Sequence, residues 1–119
     1  MTEYQIQKEL LEWCRDNAIR YPGLDRIIHI PNEGKRKGKQ IGGFKAMSKF
    51  NKGVPDLFLP VPLHDYHGLW IELKTPRGKV SDDQMNWLCF FSGFGYRATV
   101  CRGLEAAQTE IIGYYMGVL

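Results

Sequence analysis

Long apolar runs are missing from this 119-residue chain. None approaches the ~18 residues that a membrane span needs. The opening MTEYQIQKEL is polar and charged, without the apolar h-region of a secretory signal. Cysteine is scarce too. Cys14, Cys89 and Cys101 are odd in number, far apart and flanked by apolar residues, and no CxxC pair exists. A cysteine-based zinc site is therefore not expected, and the three read as reduced core residues of a cytoplasmic protein. No internal repeat or second domain shows, so residues 1–119 read as one domain whose 44% apolar content fills one core.

Acidic residues are absent from one particular stretch. Between Gly34 and Pro55 lie seven cations (Lys35, Arg36, Lys37, Lys39, Lys45, Lys49 and Lys52) and no acid. The remainder holds nine cations against thirteen acids, so a net charge of +3 hides a slightly acidic body with one strongly basic segment. That is the electrostatic footprint of a polyanion binder, although a solvated basic loop gives the same run of charge. Gly34 to Gly43, GKRKGKQIGG, reads as a mobile basic loop. It is no phosphate-binding P-loop, because Lys39 is followed by Gln40 rather than Ser or Thr.

The periodicity predicts alternating helices and strands. Thr2 and Gln5 form a capping box, and Ile6, Leu10, Leu11, Cys14 and Ala18 follow at helical spacing until Tyr21-Pro22-Gly23 stops them. Short strands are expected at 26–30, 56–59, 69–75 and 96–101, with a short helix at 44–50. Ser81 and Gln84 form a second capping box, with Asp82 and Asp83 in the first turn where the helix dipole favours acids. The helix it opens, 82–91, is apolar nearly all round and should be buried. A last helix over 104–116 carries Leu104, Ala107, Ile111, Ile112 and Tyr115 on one stripe. The order predicts an α/β fold with a mixed sheet of about four strands and helices on both faces.

Chemistry concentrates in Leu69-Trp70-Ile71-Glu72-Leu73-Lys74-Thr75. Side chains alternate along a strand, so Glu72 and Lys74 share a face with Cα atoms about 6.5 Å apart. Alone, that pattern is an ordinary half-buried strand. Asp56 alters it. The residue follows Val54-Pro55, and Pro55 lacks an N–H and interrupts pairing there. An antiparallel neighbour about 4.8 Å away could put Asp56 beside Glu72. Two carboxylates that close repel unless a cation joins them. Hard oxygen ligands suit Mg²⁺ or Mn²⁺, and Lys74 beside them could hold a water or a phosphate oxygen. These are the parts of metal-assisted phosphodiester hydrolysis.

Pro55-Asp56, followed sixteen residues later by Glu72-Leu73-Lys74, resembles the PD-(D/E)xK nuclease signature. More closely, the chain resembles the VRR-NUC (virus-type replication-repair nuclease) family over nearly its whole length. The matching pieces are the acid Glu3 opening the first helix, Ile30-Pro31-Asn32-Glu33-Gly34, Gly53-Val54-Pro55-Asp56-Leu57, Ile71-Glu72-Leu73-Lys74, Ser81-Asp82-Asp83-Gln84 with Trp87, and Gly95-Tyr96. The resemblance implies a restriction-endonuclease-like core. It implies Asp56 and Glu72 as metal ligands helped by the Leu73 carbonyl, Lys74 as catalytic lysine, Gln84 beside it, and Glu3 completing the site. Capping alone would explain Gln84, and the helix dipole alone would explain Glu3. Glu9 is a rival acid deeper in the same helix. His29 reads as a plain strand residue, and His64 and His67 around Asp65 as a loop rather than a second metal site.

The expected function is a Mg²⁺- or Mn²⁺-dependent DNA endonuclease. Lys35, Arg36, Lys37 and Lys39 would bind backbone phosphates without reading sequence, with Asn32 and Lys79 as further contacts. The resemblance implies selectivity for branched DNA such as four-way junctions. Two equivalent strands at a junction suit a symmetric dimer, and the apolar stretch 111–119 is a candidate interface. A non-catalytic nucleic-acid-binding module on a nuclease fold is the alternative. A sequence-specific restriction-type enzyme ranks lower, because a short chain leaves little room for a base-reading element.

Overall fold

The structure, a computed structural model, describes residues 1–31 and 49–119. Helix α1 (Glu3–Asp16) is followed by β1 (Ile28–His29), β2 (Leu57–Leu59), β3 (Leu69–Lys74), α2 (Asp82–Gly93), β4 (Arg97–Arg102) and α3 (Leu104–Met116). The strands form one mixed sheet in the order β1-β2-β3-β4. β1 and β3 both run antiparallel to β2, and β4 runs parallel to β3. A parallel pair needs a crossover, and α2 supplies it.

Alternation along the strands sorts the molecule into layers. Leu57, Leu59, Leu69, Ile71, Leu73 and Cys101 fall on one face and pack with Ile6, Leu10 and Cys14 of α1 and Ala107, Ile111 and Tyr114 of α3. The other face carries Phe58, Trp70, Glu72 and Lys74, and α2 lies against it. There Trp70 stacks between Phe58, with ring centroids 4.3 Å apart, and Phe91 of α2, at 4.2 Å. Trp70 is therefore covered by α2, and it is the anchor on which α2 docks.

Both predicted capping boxes form. Thr2 Oγ1 accepts from the Gln5 N–H while Gln5 Oε1 accepts from the Thr2 N–H. Ser81 and Gln84 do the same on α2. α1 ends at Asp16, before Ala18, because Asn17 turns back and its Nδ2 donates to the Trp13 carbonyl. The first strand is only two exposed residues long, since Leu24–Arg26 is taken by a 3₁₀ turn. Of the helix expected at 44–50, residues 44–48 lie outside the described residues, and Lys49–Asn51 forms a 3₁₀ turn.

Three burial expectations are corrected. α2 is not buried all round: Leu88 is its one buried residue, and Met85 and Phe90 are 47% and 50% exposed. A helix lying on one sheet face can bury only one side, whatever the composition of the other. Cys89 lies on that outer side and is exposed, unlike Cys14 and Cys101. On α3 the buried stripe passes through Ala107, Ile111, Gly113 and Tyr114, leaving Ile112 outside. Tyr114 is drawn in because its hydroxyl donates to the Val61 carbonyl at 2.6 Å.

Candidate metal centre

The β2–β3 register pairs Leu57 with Ile71 and so brings Asp56, one step before β2 begins, opposite Glu72. Asp56 is held from two sides. Its carbonyl accepts from the Ile30 N–H at 2.8 Å, and its Oδ2 accepts from the Leu73 N–H at 2.8 Å. The carboxylate thus caps a β3 donor just before β2 begins. The N–H and C=O of one strand residue leave on the same side, so the Leu73 carbonyl also faces the Asp56 side.

Asp56, Glu72 and Lys74 are the three charged residues buried among the described residues, at 7%, 1% and 6% exposure. Lys74 Nζ lies 3.6 Å from Glu72 Oε2. Glu3 comes in from the first turn of α1, and one carboxylate oxygen each from Glu3, Asp56 and Glu72 lies within 4.8 Å of the others. No other group of three such side chains gathers among the described residues. Glu9 is exposed on α1 and does not join the cluster. Three converging carboxylates form a hard, anionic donor set, and burying them is costly without nearby positive charge. The oxygen-only donor set fits a divalent cation with oxygen preference.

Gln84 uses both ends of its amide. Its Oε1 accepts from the Ser81 N–H at 2.9 Å, completing the capping box, while its Nε2 donates to Glu72 Oε2 at 3.2 Å. The capping bond and the bond to Glu72, which need not exclude each other, are made by one side chain.

Several further residues find their places. Lys79 is exposed and follows Gly78, where an added Cβ would stand 3.2 Å from Lys74 Cδ, so it flanks the buried lysine. Asn32, Lys35, Arg36, Lys37 and Lys39 lie outside the described residues. His29 is exposed on β1. His64 reaches the Tyr115 carbonyl at 3.4 Å, and His67 lies edge-on to Tyr96, so the two serve separate contacts.

Sequence reasoning gave no role to Gly53 or Trp87, although both stand in matching motifs. Trp87 Nε1 donates to the Lys52 carbonyl at 3.0 Å. Gly53 has φ +92°, and a Cβ there would come within 2.6 Å of the Asp83 backbone. The signal was the glycine two residues before Pro55, which reads as a turn but gives no partner.

A family model for the VRR-NUC domain matches residues 1–105. The chain belongs to the VRR-NUC family. A solved structure described as a VRR_NUC domain protein superimposes with a TM-score of 0.79 at 27% identity, covering 96% of this chain and 88% of that one. No curated protein matches the chain. The mixed four-strand sheet with flanking helices is thus that of a VRR-NUC nuclease-type domain, and its acidic cluster accords with use of a divalent metal. Among the described residues, no helix of this VRR-NUC chain is long and apolar enough to cross a membrane.

Proposed function

We propose that this VRR-NUC domain is a metal-dependent DNA endonuclease, structure-selective for branched DNA such as four-way junctions, and that it works as a homodimer. The observation that carries the reading is the convergence of Glu3, Asp56 and Glu72 oxygens within 4.8 Å, with the Lys74 ammonium 3.6 Å from Glu72. Asp56, Glu72 and Glu3 would hold Mg²⁺ or Mn²⁺, with the Leu73 carbonyl as a further oxygen. Such an ion supplies Lewis-acid polarisation of the phosphate and lowers the pKa of coordinated water. Lys74 orients the attacking water and offsets charge developing on the phosphate. Gln84 fixes the rotamer of Glu72 through its amide donor. Lys35, Arg36, Lys37 and Lys39, with Asn32 and Lys79, bind backbone phosphates. For the dimer, exposed Met116, Val118 and Leu119 at the end of α3 and beyond it supply the apolar contact.

The test incubates labelled duplex, flap and four-way-junction DNA with Mg²⁺, with Mn²⁺ and with chelator, beside Asp56→Asn and Lys74→Ala. Cleavage by the wild type alone, strongest on the junction and lost with chelator, is expected. Intact substrates with both metals would sink the enzyme reading and leave a DNA-binding module. Undiminished cutting by Asp56→Asn would sink the site assignment.

A further inference from the structure

Residues 52–55 carry the chain into Asp56, ahead of β2, which begins at Leu57. Pro55 cannot donate a ladder bond, so strand pairing does not hold this approach. Asp56 itself is tied to Ile30 and Leu73, and the residues leading to it are held by α2. The Trp87 indole N–H donates to the Lys52 carbonyl at 3.0 Å, and the Trp87 ring lies stacked 5.6 Å from Phe91, which itself rests on Trp70. One residue later, Gly53 at φ +92° lies so close that a Cβ would sit 2.6 Å from the Asp83 carbonyl carbon and 2.8 Å from the Gln84 nitrogen. Gln84 is the residue whose amide reaches Glu72. The backbone leading to one carboxylate is thus pressed against the helical turn that holds the other.

We infer that Trp87 and Gly53 are positioning residues of the nuclease site. They clamp the approach to Asp56 onto the first two turns of α2 and so, together with the Leu73 N–H bond to Asp56, set the spacing between Asp56 and Glu72. This inference rests on the metal-dependent nuclease reading. It goes further in naming two residues that touch neither metal nor substrate. A shift of 1 Å in a reacting group can cost about 10²-fold in rate, so loosening the clamp acts on turnover rather than on DNA affinity. The exposed Lys52–Asp83 ion pair, at 3.6 Å, bridges the same elements. Such a pair is weak in solvent, and the indole bond and the glycine contact carry the clamp.

Trp87→Phe removes the N–H and keeps a ring against Phe91. Gly53→Ala pushes the approach off α2. Asp83→Asn removes the ion pair and one of the two acids in the first turn of α2, leaving the indole bond and the glycine contact. For each, kcat at saturating DNA, DNA affinity in Ca²⁺, the Mn²⁺ concentration giving half-maximal cleavage, and the thermal midpoint are measured. Expected for Trp87→Phe are a kcat lowered about tenfold, a raised Mn²⁺ requirement and unchanged DNA affinity. Asp83→Asn should stay within about twofold of wild type. Combining Trp87→Phe with Gly53→Ala should cost less than the product of the single effects, because both open one contact. If the wild type cuts and Trp87→Phe, folded at the assay temperature, cuts with the same kcat and metal requirement, the inference is overturned and the nuclease reading stands. If Gly53→Ala alone fails to fold, Trp87→Phe decides. A wild type that cuts nothing overturns both.

Discussion

Gln84 shows how much one side chain can carry. Glutamine and glutamate both serve at the third position of a capping box, but only glutamine keeps a donor for Glu72 Oε2. Gln84→Glu keeps the cap but sets a second carboxylate beside buried Glu72, so it should lower the thermal midpoint modestly and cleavage about 10- to 100-fold, the usual loss for a partner behind a metal ligand. Equal losses of stability and activity would show that the residue only caps. The thiols separate as sharply. Burial pushes Cys14 and Cys101 up to about 12, while Cys89 is exposed. A thiol-reactive disulfide reagent at pH 8 should label one cysteine per folded chain quickly and three after denaturation, with Cys89→Ser abolishing the fast phase. The same shifts predict a pH dependence of stability. The buried thiols stay neutral in the fold, whereas the unfolded chain ionises them near 9. Their contribution is complete below about pH 9 and falls as pH rises towards 12. Tyr115, also raised to about 12 by burial, acts in the same direction. The urea midpoint should drop between pH 8 and pH 10.5, and by less in Cys14→Ala than in wild type.

At the scale of elements, α2 is the piece whose docking matters most. It contributes one buried aliphatic residue, Leu88, and holds on further by stacking Phe91 on Trp70 and by the Gln84–Glu72 and Trp87–Lys52 hydrogen bonds. Trp70 Nε1 is buried with no hydrogen-bond partner among the described residues, which is costly in an otherwise apolar stack. Truncation to Ala should cost about 3 kcal/mol through the cavity it opens. Trp70→Phe should cost clearly less, because the indole N–H is removed together with the ring area. Chemical denaturation measures both, and equal losses would mean that the indole nitrogen finds a partner in solution. The strand segments themselves read clearly in the sequence, since β-branched and aromatic alternation marks Leu69–Lys74 without ambiguity. Burial of α2 did not, because composition records how apolar a helix is and not how many sides a single sheet face can cover.

Over the whole molecule, a basic segment is attached to a body with acids in excess. If Lys35, Arg36, Lys37 and Lys39 contact phosphates, neutralising them should flatten the plot of log affinity against log salt by up to about 0.9 for each phosphate left without its cation. Fluorescence anisotropy with a fixed junction substrate measures the slope, and an unchanged slope would mark the segment as plain solvated surface. Two groups of exposed apolar side chains lie on and beyond the helices α3 and α2. Met116, Val118 and Leu119 lie at the end of α3 and beyond it, and Met85, Phe90 and Phe94 lie on and just past α2. Sedimentation of the wild type beside Met116→Lys and Val118→Lys tests the first as a dimer contact. A dimer that survives both changes would move the contact elsewhere.

Element types, both capping boxes and the mixed sheet were legible in the linear chain, because capping, alternation and proline exclusion act over a few residues. Contacts across the fold were not. Glu3 is separated from Asp56 by more than fifty residues, and only the packing of α1 beside the sheet brings their oxygens within 4.8 Å. The capping explanation of Gln84 was complete within four residues, and its second bond to Glu72 depended on where α2 came to rest. Trp70 was assigned a face by alternation, but its neighbours Phe58 and Phe91 were chosen by register and crossover. Local propensity depends on nearest neighbours along the chain, whereas a metal site depends on distances between elements, and those are set when the layers pack.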